Sequence, residues 1–123
     1  MNHTLLIIGG IFHFSFAVFH LFFWQLFNWE KDLASLTFVN RAIMQILNLC
    51  LTFVFVAVGY ISIFYASELL TTKLGKAILT ATFLFWFLRA VEQIVFFGVK
   101  ETRSNILTII FAVGFIIYLI PIL

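Results

Sequence analysis

The sequence predicts an all-α integral membrane protein, an antiparallel up-down bundle of four transmembrane helices forming one domain over residues 1–123. Three observations lead there. Of the 123 residues, 64% are hydrophobic and only 10% are charged, whereas soluble domains are about half apolar and about one-quarter charged. Four apolar runs, at about 4–27, 38–66, 74–98 and 105–123, each supply the roughly 20 residues that cross about 30 Å of hydrocarbon. The breaks between them, at about 28–36, 67–73 and 99–103, are as short as connections between antiparallel neighbours.

The first run resembles a signal peptide in position only. It is too long for an h-region, lacks a basic n-region, and ends at Gln25, Asn28, Trp29 and Glu30 rather than at small residues, so it reads as a retained span. Each span opens beside a candidate N-cap: Asn2 or Thr4, Thr37, Thr71 or Thr72, and Ser104, whose side chains satisfy N–H groups that lipid cannot. Eighteen phenylalanines, with Trp24, Trp29, Tyr60, Tyr65 and Tyr118, are accounted for by bundle and lipid faces, and Trp29 suits the interfacial belt. Gly10 with Ala17, Ala77 with Ala81, and Thr108 with Ala112 are small-residue pairs of the kind that let helices approach closely. Cys50, the single cysteine, reads as an inert core residue of the second span.

Seven Lys+Arg against five Asp+Glu give a net charge of +2, too scattered to hold a nucleic-acid backbone. Lys31, Lys100 and Arg103, with Arg41 just inside the second span, share one face, while Lys73 and Lys76 share the other with the N-terminus. The positive-inside rule makes the first face cytoplasmic by a margin of one or two residues. Both termini then lie together on the non-cytoplasmic side of a plasma or bacterial inner membrane.

The informative residues are those that hydrocarbon penalises. Arg41, Gln45, Asn48 and Thr52 follow the spacing i, i+4, i+7, i+11 and form one stripe of the second span. Arg89, Glu92 and Gln93 sit one turn apart in the third, with Thr82 and Trp86 extending the Arg89 side, and His13 and His20 share a face of the first. At about 1.5 Å of rise per residue, and measured from the face of the first and third loops, Arg41 lies about 5 Å deep and Gln45 and Glu92 about 10 Å. On the same scale His20 is about 12 Å deep, Arg89 about 13 Å and Asn48 about 15 Å. His13, Thr52 and Thr82 make a second layer at about 21–24 Å.

That first layer defines a candidate ligand site of His20, Arg41, Gln45, Asn48, Arg89 and Glu92. Arginine supplies a permanent forked cation for carboxylate or phosphate, Glu92 neutralises Arg89 or carries a proton, and histidine changes charge near neutral pH. Asn48 and Gln45 both donate and accept. A charge at mid-membrane costs at least about 2.5 kcal/mol, so Arg89 and Glu92 are expected to face protein or water, turned toward the bundle interior along with His20 and Asn48. The competing account is structural: Arg89 pairs with Glu92, the amides and His20 satisfy one another, and the network only fixes helix register.

Haem needs axial ligands that face each other, yet His3, His13 and His20 all lie on the first span. Positions seven apart are about 10.5 Å apart along one helix, so haem requires a second subunit or another axial ligand. Glu92 is the only deep carboxylate and no Glu-x-x-His pair occurs, so no metal site is expected.

The run Arg41-Ala42-Ile43-Met44-Gln45-Ile46-Leu47-Asn48 resembles the second-helix Arg-Ala-x-x-Asn-x-x-Glu signature of the MAPEG family of four-span membrane proteins. Phe85 and Arg89 are similar to that family's aromatic-x-x-x-Arg pattern. Gln45 and Asn48 stand where the family has Asn and Glu. The resemblance implies a trimeric enzyme acting on lipophilic substrates, with glutathione between subunits against Arg41, Gln45, Asn48 and Arg89. The reading from the residues alone is a small polytopic membrane protein whose polar intramembrane pocket binds or transports a small, partly anionic or proton-coupled ligand. A non-catalytic accessory subunit is the third possibility. The apolar fourth span leaves a surface suited to membrane lipid, a homo-oligomer or a larger membrane complex.

Overall fold

The computed structural model describes residues 1–123 throughout. The chain is all-α, 89% helical and without strands, and four of its helices are long and apolar enough to cross a membrane. In order these are α1 (Asn2–Leu21), two short helices α2 (Phe23–Leu26) and α3 (Trp29–Asp32), a 3-10 turn (Leu33–Ser35), and α4 (Phe38–Phe64). Then come α5 (Ala66–Thr71), α6 (Lys73–Phe97), α7 (Thr102–Leu119) and a closing 3-10 turn (Ile120–Ile122). Ile11, Val18, Phe53, Phe96 and Ile109 are all more than half exposed, an apolar surface of the kind that membrane-spanning helices present. The protein is an integral membrane protein.

Several element ends differ from the sequence expectation, each for a local reason. The first span stops at Leu21 rather than near 27, because Phe22 leaves helical geometry and Asn28 turns left-handed, at φ 51°, a conformation that asparagine tolerates. The break expected at 67–73 is itself largely helical, as α5. Thr72 caps α6 by accepting from the Gly75 N–H at 2.9 Å, and Thr37 accepts from the Asn40 N–H at 3.4 Å at the start of α4. Asn2 and Thr4 lie inside α1, and Ser104 lies inside α7, which starts at Thr102. Gly98 ends α6 with φ 74°, in the region where a side chain is strained. Cys50 is exposed, not in the core.

The chain divides into two compact units. The central unit, residues 10–61, is an antiparallel hairpin of α1 and α4. Contacting positions rise along one helix as they fall along the other: a Cβ on Gly59 would come within 3.0 Å of the Gly10 carbonyl, Phe16 meets Phe55 at 5.8 Å, and His20 meets Asn48 at 2.7 Å. Phe16, Ala17, Phe55 and Leu33 are its buried apolar residues.

The terminal unit comprises residues 1–9 and 62–123. Here α6 and α7 pack antiparallel through Phe83 with Phe115 at 5.7 Å, Trp86 stacked on Phe111 at 5.6 Å, and Gln93 with Ser104 at 3.0 Å. Near the end of α7 the Tyr118 hydroxyl shares a 2.7 Å hydrogen bond with that of Ser62, both side chains being buried. Gly9 lies directly against the Tyr118 ring, where a Cβ would come within 2.6 Å of its hydroxyl oxygen. The missing side chain at position 9 is what allows this close approach.

Candidate functional site

The candidate polar residues fall in two clusters, one in each unit. In the central unit, Arg41, Gln45 and Asn48 are half-buried and Thr52 is buried, whereas Ile43, Met44, Ile46, Leu47, Leu49 and Cys50 between them are exposed, the pattern of an inward stripe. His20, in the last turn of α1, is gripped twice by Asn48. The Asn48 amide nitrogen donates to the His20 carbonyl at 3.0 Å, and its oxygen lies 2.7 Å from His20 Nδ1. With the amide so oriented, Nδ1 carries the proton and donates. That bond exists whether the ring is neutral or charged, so protonation of His20 leaves the pair intact.

Aromatic rings set the His20 plane. Phe23 stacks on it at 4.1 Å, and Phe55 stands edge-on at 5.2 Å. Gln45 donates to the Arg41 carbonyl at 3.2 Å, which lays its side chain along α4 toward the first loop. A cleft of about 150 Å³ opens beside these groups, lined by His20, Leu21, Trp24, Trp29, Gln45, Asn48 and Leu49. Trp24 belongs to α2, which replaces the expected end of the first span, and Trp29 to α3 in the break that follows. Their place in the cleft was not legible from periodicity, because it depends on the break at Phe22.

In the terminal unit, Arg89 donates to Gln93 Oε1 at 3.2 Å, and the Gln93 amide nitrogen donates in turn to the Ser104 hydroxyl at 3.0 Å. The Arg89 guanidinium also sits over the Phe111 ring at 4.4 Å, a cation–π contact. Glu92 meets Arg89 at 3.5 Å with its side chain 52% exposed. Glu92 therefore does not turn inward as expected. Gln93, only 2% exposed, takes the buried position, and the stripe that contains it was visible in the sequence: seven residues beyond Trp86 on the line of Leu79 and Thr82 is 93, not 92.

The second layer is divided similarly. His13 and Thr52 are buried in the central unit and Thr82 in the terminal unit. The Thr52 hydroxyl donates to the Asn48 carbonyl and that of Thr82 to the Ile78 carbonyl, at 2.8 and 2.7 Å. Both hydroxyls are thus committed to their own helices. No protein-family model matches this chain, and neither does any curated protein or solved structure.

Proposed function

We propose that this small polytopic membrane protein binds a small, partly anionic or proton-coupled ligand in a polar intramembrane pocket. The observation that carries the reading is the cleft in which His20, Gln45 and Asn48 meet Trp24 and Trp29. Polar side chains within a span are costly unless satisfied, and pockets for small molecules combine apolar walls with a few placed polar groups. The His20–Asn48 pair fixes both side chains, so a ligand meets groups that are already ordered. Gln45 commits one amide N–H to Arg41, and its second N–H and its carbonyl oxygen are the groups it offers to a ligand.

Arg89, Gln93 and Ser104 support the other reading for the terminal unit. Their hydrogen bonds run without a gap from α6 to α7, as expected of residues that hold two helices in register.

The test is native mass spectrometry of the protein purified in lipid nanodiscs. The parent is expected to retain a small molecule beyond bulk lipid. Asn48→Leu, which removes one polar wall of the cleft and releases His20, is expected to lower its occupancy about tenfold at unchanged helicity, by loss of a hydrogen bond in a low-dielectric site. A parent with no such molecule, or a variant that retains it fully, refutes the pocket.

The same proposal places both termini on one side of the membrane. The seating of Gly9, early in α1, against Tyr118, late in α7, supports this. Cysteines introduced at Asn2 and Leu123 are expected to react with an impermeant maleimide from the same side of intact cells. Labelling from opposite sides contradicts the arrangement.

A further inference from the structure

We propose that the ligand of the central cleft is an anionic single-chain amphiphile, with its carboxylate or phosphate on Arg41 and its chain between Trp24 and Trp29. This rests on the pocket reading above and specifies what fills it. Arg41 lies one turn from Gln45 on the same stripe of α4, about 6 Å along the axis toward the first loop. No carboxylate pairs with it. Its guanidinium contacts the Phe38 ring at 6.0 Å, and the ion pair of Arg89 with Glu92 lies elsewhere in the chain. Glu30 and Asp32 sit in the neighbouring helix α3, exposed and without a bond to Arg41.

Arg41 is a half-buried arginine near a span end, with five donors in a fixed fork and no ion pair. A fork of this kind takes a carboxylate or phosphate in two parallel bonds. From Arg41 the stripe leads inward past Gln45 to Asn48 and His20, and the cleft walls there are Leu21, Trp24, Trp29 and Leu49. The cleft thus joins uncharged hydrogen-bonding groups, His20, Gln45 and Asn48, to aromatic and aliphatic walls, and Arg41 stands one turn of α4 beyond Gln45 on the loop side. A molecule that fills this cleft and reaches Arg41 has an anionic head joined to an apolar chain. A small hydrophilic anion would leave the tryptophan walls unused, and a neutral apolar molecule would leave the arginine unmatched.

The tryptophans give the readout. Binding of dibrominated stearate to the full-length protein in detergent is followed by quenching of Trp24 and Trp29, with the 1%-exposed Trp86 as the unquenched baseline. Saturable quenching is expected, with the acid binding at least tenfold more tightly than its methyl ester, because a charge-assisted fork is lost in the ester. Arg41→Gln is expected to abolish that preference and leave ester binding at the parent level. Unlabelled stearate and a single-chain phosphatidate are the competing probes, and displacement by either supports an amphiphile while the stronger identifies the head group.

Equal binding of acid and ester to the parent, or a preference that survives in Arg41→Gln, overturns the anionic assignment and leaves the pocket standing. Displacement by inorganic phosphate, at an ionic strength where chloride has no effect, overturns the amphiphile in favour of a simple anion site. If neither acid nor ester quenches saturably, the pocket and this proposal fall together. Helicity and elution volume equal to the parent's establish that Arg41→Gln is folded.

Discussion

Replacing Gly75 by alanine is expected to cost about 3 kcal/mol, at the upper end of the range for overpacking. Gly75 lies in the first turn of α6, where the chain has just doubled back from α5. A Cβ at this position would collide with the Glu68 carbonyl oxygen and with the Cα and carbonyl oxygen of Leu69. These are backbone atoms of a helix and cannot rotate aside. The Thr72 cap makes matters worse, because moving α6 away would break the bond from the Gly75 N–H to the Thr72 hydroxyl, itself worth about 1 kcal/mol. Leu69, 2% exposed, and Ala66, also 2%, bury α5 against its surroundings, so that helix has no room to retreat. Reversible unfolding in mixed micelles of mild detergent and dodecyl sulfate, followed by circular dichroism, measures the loss. A variant that unfolds with the parent would mean that the α5–α6 corner is looser than its packing implies.

Trp86→Ala is expected to destabilise by about 3 kcal/mol, near the lower end of large-to-small changes at buried aromatics. Trp86 is 1% exposed and stacks on Phe111 with an interplanar angle of 27°. Within a membrane, moving an apolar side chain from lipid to protein yields little transfer energy, so the loss is chiefly of dispersion contacts and of the cavity left behind. A second effect follows from the Phe111 ring, which carries Arg89 at 4.4 Å. With Trp86 gone the ring can tilt, and the cation–π contact weakens by about 1 kcal/mol. Trp86→Phe keeps an aromatic face toward Phe111 and is expected to recover more than half of the loss. The same unfolding assay ranks the three proteins, and a phenylalanine variant as unstable as alanine would show that volume, not the stacked face, is what matters.

The sequence by itself determined the class, the number of spans and most of their limits. An excess of apolar residues in runs of sufficient length, broken by short polar segments, has no soluble solution. It also determined the stripe of Arg41, Gln45, Asn48 and Thr52, since a period of 3.6 fixes which residues share a helix face. What it left open has one common physical cause. In a bilayer the outside of a helix is as apolar as the inside, so composition does not say which apolar face packs against protein.

Cys50 shows this: its sequence surroundings suit a core, yet it is exposed. Glu92 and Gln93 differ by one position and hence by about 100° of helix rotation; the spacing from Trp86 puts Gln93 on the buried line, but that Ser104 of α7 is its partner is decided by the packing of α6 on α7. The bend at Phe22 is likewise tertiary. Nothing in the apolar run from about 4 to 27 marks a break at Phe22, but that break carries Trp24 and Trp29 into the wall of a cleft beside His20 and Asn48. Hydropathy counts residues that lipid accepts, whereas a pocket is made by where the backbone turns and which side chains then find partners.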